Sequence, residues 1–250
     1  MTDTADFAPG NYRFLPYAFQ YSSGVAAQPG YEIERVRFRK PVPLKQGFER
    51  IEAHIKASGR PLTSFCACEL RSPAPFTEQG FFDFNKIYVV TLEKWGVFDG
   101  GQTNPVARSN VCPPIDPPSE PSFHAFSHTV ASKSPAPSFV IAGGAEARGG
   151  EGGYRERIVR YGETSPDAMR EKAMQTLGEM ERRLGLFKFG WADTTATQVY
   201  TVHDLHPFLA DEIVRRGAAR SGLTWHFARP PVQMLEYEMD CRSVARELVI

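Results

Sequence analysis

The sequence has no surplus of charge. Lysine and arginine total 29, and aspartate and glutamate total 29. A nucleic-acid partner calls for excess Lys and Arg to displace counterions, so none is expected. The same balance removes the simplest electrostatic case for an anionic membrane. No apolar run approaches the ~20 residues that cross a bilayer. The opening residues, Met1 to Gly10, carry Asp3 and Asp6 without an apolar stretch. A secretory leader is not expected there, and the expected compartment is the cytoplasm. Cysteine is sparse: Cys66, Cys68, Cys112 and Cys241 are the four. They read as free thiols rather than a disulfide framework. Cys66-Ala67-Cys68 has the wrong spacing for a CxxC pair, and on a strand both thiols would face one side. P-loop, nucleophile-elbow, zinc-protease and EF-hand motifs are all absent. No metal and no organic cofactor is expected.

Apolar residues make up 42% of the 250, enough for a packed core in one large domain or two small ones. The order of segments favours two. Phe19 to Ala27 and Ser138 to Glu146 each open with an apolar run that reaches glycine. A helix-like segment follows in each half. Phe48, Ile51 and Ile55 recur at helical spacing, as do Met169, Ala173, Met174, Leu177, Met180 and Leu184. Ser165-Pro166 reads as a helix cap followed by proline at the first helical position, with Gly59 and Gly185 as stops. A β-rich run comes next, Ser64–Leu70 and Thr194–Val202. Second helices are expected over Gly80–Lys94 and Pro207–Arg216. Ala-Arg-Ser then appears twice, at 107–109 and 219–221, each time expected to open an extended segment. Lys133 to Ser138 is the expected linker.

This order and its residues resemble the RidA/YjgF (Rid) family. Tyr21-Ser-Ser-Gly24 is similar to that family's first-strand motif, and Phe81 to Tyr88, with Asn85, to its N-x-x-Y helix. Pro105 to Ser109 is similar to its proline–arginine–serine opening. In the second half, Ala219-Arg220-Ser221 and Leu235 to Glu238 resemble its arginine and acidic strands. The resemblance implies an α+β chain of two tandem RidA/YjgF-like (chorismate mutase-like) domains, residues 1–132 and 133–250. Each would be a mixed sheet with two helices on one face. It also implies ligand clefts between neighbouring copies and a homo-oligomer, with a trimer of tandem chains favoured. The activity implied is hydrolytic deamination of a small enamine or imine carboxylic acid, of 2-aminomuconate type. The alternatives are a chorismatase-like ether hydrolase and a non-enzymatic binding module.

An arginine fork suits a carboxylate, so Arg220 and Arg108 are candidates to grip the acid. Glu238, sharing a strand face with Glu236 and Asp240, is the candidate proton-transfer group. Arg220 and Glu238 form the expected catalytic pair. Arg108, Asn85, Ser23, Tyr17, Tyr12 and His124 are the expected substrate-binding residues. The first half has Phe126 where the second has Glu238, and the second has Asp211 near the place of Asn85. A working site is therefore expected to be composite. His124 and His128 are expected on one strand face. His203 and His206 read as a strand end and turn rather than a metal pair. Gly143 to Gly153 reads as a hairpin ahead of a strand at Arg155–Arg160. The proline-rich run Cys112–Pro121 reads as a stiff loop beside Arg108.

Overall fold

Alternating apolar side chains set the strands. The computed structural model describes residues 4–250. Its elements are β1 (Ala5–Phe7), β2 (Tyr12–Phe14), β3 (Gly24–Ala27), β4 (Tyr31–Pro43), α1 (Leu44–Ala57), β5 (Phe65–Arg71), α2 (Glu78–Lys94), β6 (Ala107–Val111), β7 (Ser122–Ala131), β8 (Phe139–Ala145), the one-turn α3 (Tyr154–Arg157), α4 (Pro166–Leu186), β9 (Ala196–Tyr200), α5 (His206–Phe208), β10 (Thr224–His226), β11 (Glu238–Ser243) and β12 (Arg246–Val249). A π-helical turn, Leu209–Val214, continues α5. No helix among the described residues is long and apolar enough to cross a membrane.

Two mixed sheets result, in an α+β fold. One has the order β12-β4-β7-β5-β6, and the other β1-β2-β3-β8-β11-β9-β10. Within them, β4-β7-β5-β6 and β8-β11-β9-β10 are wired alike. In each, the first strand pairs antiparallel with the last, the last pairs antiparallel with the second, and the second runs parallel to the third. Strands from either end of the chain extend the opposite sheet: β3 pairs with β8, and β12 pairs with β4.

The helices cover the outer faces. α1 and α2 bury Phe48, Ile51, Ile55, Phe81, Phe84 and Leu92 on the first sheet, while α4 buries Met169, Ala173, Leu177, Met180 and Leu184 on the second. Met174, part of the apolar pattern, stands exposed at the edge of that stripe. α4 begins as its sequence dictates: Ser165 Oγ accepts from Ala168 N at 3.3 Å, with Pro166 at the first position. The inner faces pack on each other through Tyr12, Val25, Ile33, Ala67, Ala107 and Ala142. Between them Ser109 Oγ donates to Asp240 at 2.6 Å, tying β6 to β11.

Several local expectations are corrected. A bulge in β7 opposite Glu69/Leu70 turns His124 to the inner side, where its ring meets His226 at 6.4 Å, while His128 stays on the α1 side. A bulge in β5 similarly splits Cys66 from Cys68, into the inner and helix-facing cores. All four cysteines are free and buried. Residues 154–157 form a helical turn rather than a strand, begun by Tyr154 N donating to Glu78 Oε1 at 3.2 Å. The second Ala-Arg-Ser lies in a turn, with Arg220 N bonded to Gly217 O, and β10 starts only at Thr224.

Candidate active site

The first sheet ends at β6, and its edge is capped at both ends only. Ser22 N donates to Val106 O at 2.8 Å, and Cys112 and Arg229 exchange backbone hydrogen bonds of 2.7 and 2.8 Å. Between these caps Arg108 and Asn110 face a cavity of about 420 Å³. Its far wall comes from the second half: Gly143 to Ala145 on β8, Glu238 on β11, and Arg183 on α4. The size suits a small organic molecule.

Arg108 is 3% exposed, and neither of its terminal nitrogens has a hydrogen-bond partner. Four rings surround its guanidinium: Tyr88 at 4.7 Å, Tyr21 at 5.1 Å, and Phe81 and Phe84 each at 5.6 Å. Aromatic faces attract a desolvated cation by about 2 kcal/mol. They do not replace the hydrogen bonds of a buried guanidinium, whose unpaired burial is costly. The fork is thus held with its donors unspent, beside a cavity, ready for an anion.

Glu238 is 4% exposed. Burial holds its carboxyl well above the usual carboxylate range, and the charges of Asp240 and Glu146 push the same way. Arg183 and Arg71 oppose them. The protonated form of its carboxyl is therefore favoured. Asp240 below it accepts from Ser109, Gln198 and Tyr200 at 2.6–2.8 Å. The carboxyl fits because Gly143 on β8 carries no side chain: a Cβ there would overlap Glu238 Oε1. Arg183 is fixed by Ala142 O at 3.0 Å and Glu179 at 2.7 Å.

Five arginines line the cavity, Arg108, Arg148, Arg157, Arg182 and Arg183, against Glu179 and Glu238. Arg157 stacks on Tyr154 at 4.8 Å and donates to Arg148 O at 3.4 Å, leaving its buried Nε without a partner. Burial pushes the Tyr154 phenol up to about 12 and that of Tyr21 higher still, so both remain hydroxyl donors. The surplus of positive charge suits a ligand with more than one anionic group.

Of the residues expected from sequence, the cavity brings together Arg108, Glu238 and Tyr17. It excludes the others. Arg220 is exposed on its turn. Tyr12 is fully buried between the sheets, its hydroxyl donating to Phe65 O at 3.3 Å. Ser23 is buried, with backbone bonds to Leu15 and Ala142. Asn85 lies inside α2, donating to Phe81 O at 2.6 Å. His124 stands on the other side of the bulge and is pushed down to about 3, chiefly by burial. Arg108 from the first half and Glu238 from the second share the lining of this one cavity. Tyr21, Arg148, Tyr154, Arg157 and Arg183 were not foreseen; of these only Tyr21 lay in a motif.

A guanidinium without hydrogen-bond partners at its terminal nitrogens and a buried carboxyl of raised proton affinity line one cavity, an arrangement suited to acid–base chemistry on a small organic acid. Residues 4–248 match the family described as 2-aminomuconate deaminase CnbZ, and the chain belongs to that family. The chain is 54% identical over 252 residues to 2-amino-5-chloromuconate deaminase of Comamonas testosteroni, an alignment covering 100% of both proteins. It is thus a deaminase.

Proposed function

We propose that the chain hydrolytically deaminates an enamine dicarboxylic acid of 2-aminomuconate type, in the cavity between its halves. Arg108 carries this reading: a buried fork with two unpaired terminal nitrogens, on the same cavity as a protonated glutamate. One carboxylate of the substrate pairs with Arg108 in a two-bond fork. The other reaches the Arg148 and Arg157 side.

Glu238 delivers its proton to carbon as the nitrogen lone pair closes the C=N bond. The enamine thereby becomes an iminium ion. The Glu238 carboxylate then takes a proton from water as the water oxygen adds to the C=N carbon. The tetrahedral intermediate moves a proton to nitrogen, expels ammonia and leaves a keto acid. One water is consumed and one ammonia released, and Glu238 ends protonated. Acid and base in turn is work for a carboxyl whose proton affinity has been raised. These steps use only this chain's own residues.

We infer further that the halves, 1–132 and 133–250, are tandem RidA/YjgF-like copies. The like wiring of β4-β7-β5-β6 and β8-β11-β9-β10 supports this. The tandem chain is taken to be cytoplasmic and to form a homo-oligomer, a trimer being favoured.

Ammonia release from 2-aminomuconate tests the activity, with chorismate as the contrasting substrate. Wild type is expected to release ammonia, with Arg108→Ala and Glu238→Gln strongly impaired. Full turnover by a folded Arg108→Ala would remove the carboxylate grip from the mechanism.

A further inference from the structure

Away from the cavity, three side chains on α1, β4 and β7 converge without a role in the proposed deamination. Glu34 and His128 are directly opposite each other on paired strands. His54 comes down from the last turns of α1, its ring edge-on to that of His128 at 5.4 Å. Glu34 Oε1 lies 3.3 Å from His128 Nε2 and 3.7 Å from His54 Nε2. All three ligand atoms lie within 4.8 Å of one another.

These separations are long for hydrogen bonds, whose N–H···O distances cluster near about 2.9 Å. They suit a different arrangement. Ligands ~2.0–2.1 Å from a tetrahedral zinc ion stand ~3.3 Å apart, which is the spacing between Glu34 Oε1 and His128 Nε2, while His54 Nε2 lies 3.7 Å from the same oxygen. The rest of the cluster is arranged accordingly. Arg246 binds the other carboxylate oxygen, Oε2, at 3.2 Å, orienting Glu34 while leaving Oε1 to the imidazoles. Arg246 also pairs with Glu32 at 3.4 Å, and Arg60 is held by Thr129 O at 2.8 Å. Glu34 and His128 are buried, whereas His54 is 22% exposed and offers an entry path.

We propose that Glu34, His54 and His128 form a binding site for a divalent transition metal of the zinc type, clamping α1 onto β4 and β7. Two imidazoles with one carboxylate match the donor preference of zinc. The site is separate from the deaminase cavity, and none of its residues lines that cavity.

The full chain, stripped with chelator, would be titrated with zinc chloride by calorimetry and with cobalt(II) by visible absorption. The expected result is one zinc per chain, a tetrahedral cobalt spectrum and a raised Tm. His54→Ala, a substitution on a partly exposed helix face, should fold, lose at least tenfold in affinity and lose the spectrum and the Tm shift. Glu34→Gln should weaken binding in the same way. Wild type that takes up no stoichiometric zinc, or a His54→Ala protein that binds it equally well, would overturn the site. Ammonia release by His54→Ala is expected at the wild-type level, which separates this result from the deaminase reading.

Discussion

Gly143 and Glu238 stand so close on neighbouring strands that a Cβ on residue 143 would overlap Glu238 Oε1. The missing side chain is what gives the carboxyl its place. Gly143→Ala should displace it and lower turnover at least ~10-fold, because general acid–base help is typically worth 10²–10⁴-fold. Far-UV circular dichroism should be unchanged. Wild-type kcat in that variant would mean that the position of Glu238 is unimportant.

Arg108 predicts opposite signs for activity and stability. Truncating one partner of a buried charge pair costs about 2–5 kcal/mol of binding, or ~30- to ~5000-fold in kcat/KM. In the free protein, however, the guanidinium has only aromatic faces around it. Arg108→Met should stay in the cage, remove an unpaired buried cation and raise Tm by ~2–4 °C, the equivalent of about 1 kcal/mol in a chain of this size. Thermal melts beside steady-state kinetics check both signs.

The raised proton affinity of Glu238 makes the free protein less stable as pH rises. Above the ordinary carboxyl range the unfolded chain has released this proton while the folded chain still holds it, so the folded state binds more protons and stability falls with pH. Glu238→Gln should remove that slope, gaining stability relative to wild type at neutral pH and matching it below about pH 4. In wild type kcat/KM should fall on the alkaline side as Glu238 loses its proton. His124 titrates at about 3, so His124→Gln should keep that alkaline limb; its disappearance would shift the proton transfer to His124.

Lys172 and Glu146 are both fully buried, 3.2 Å apart, and Glu146 in turn accepts from Glu236 N and Tyr237 N just ahead of β11. Lys172→Met leaves the carboxylate without its cation and should destabilise the fold by about 3–5 kcal/mol. The loss should shrink in acid, where Glu146 is protonated. Urea unfolding at two pH values tests this.

Where an element rests on local chemistry, it was legible in the sequence. Ser165-Pro166 started α4, and the repeated order of segments foretold two alike-wired sheets. Arg108, singled out by its motif, lies on the cavity, whose lining draws on both halves of the chain. Arg220 was misplaced because Gly217 and Gly222, both at positive φ, hold its tripeptide in a turn before a three-residue strand. His124 was misplaced because a bulge breaks the two-residue period on which a shared face depends. Arg148 and Arg157 could not be foreseen. An isolated antiparallel bridge between Ala147 and Ile158 closes the loop whose ends bring Arg148 and Arg157 to the cavity, and no side-chain pattern marks it.

The exchange of outer strands reaches beyond the active site. β3 lies along β8 and β12 along β4, so each half borrows a border from the other. A fragment ending near residue 132 would bare the main-chain groups of β4, and the complementary fragment those of β8, inviting filament-like stacking of each. Only when both pieces are produced together would the margins be sealed, which makes the polypeptide indivisible although its two four-strand sets are wired alike.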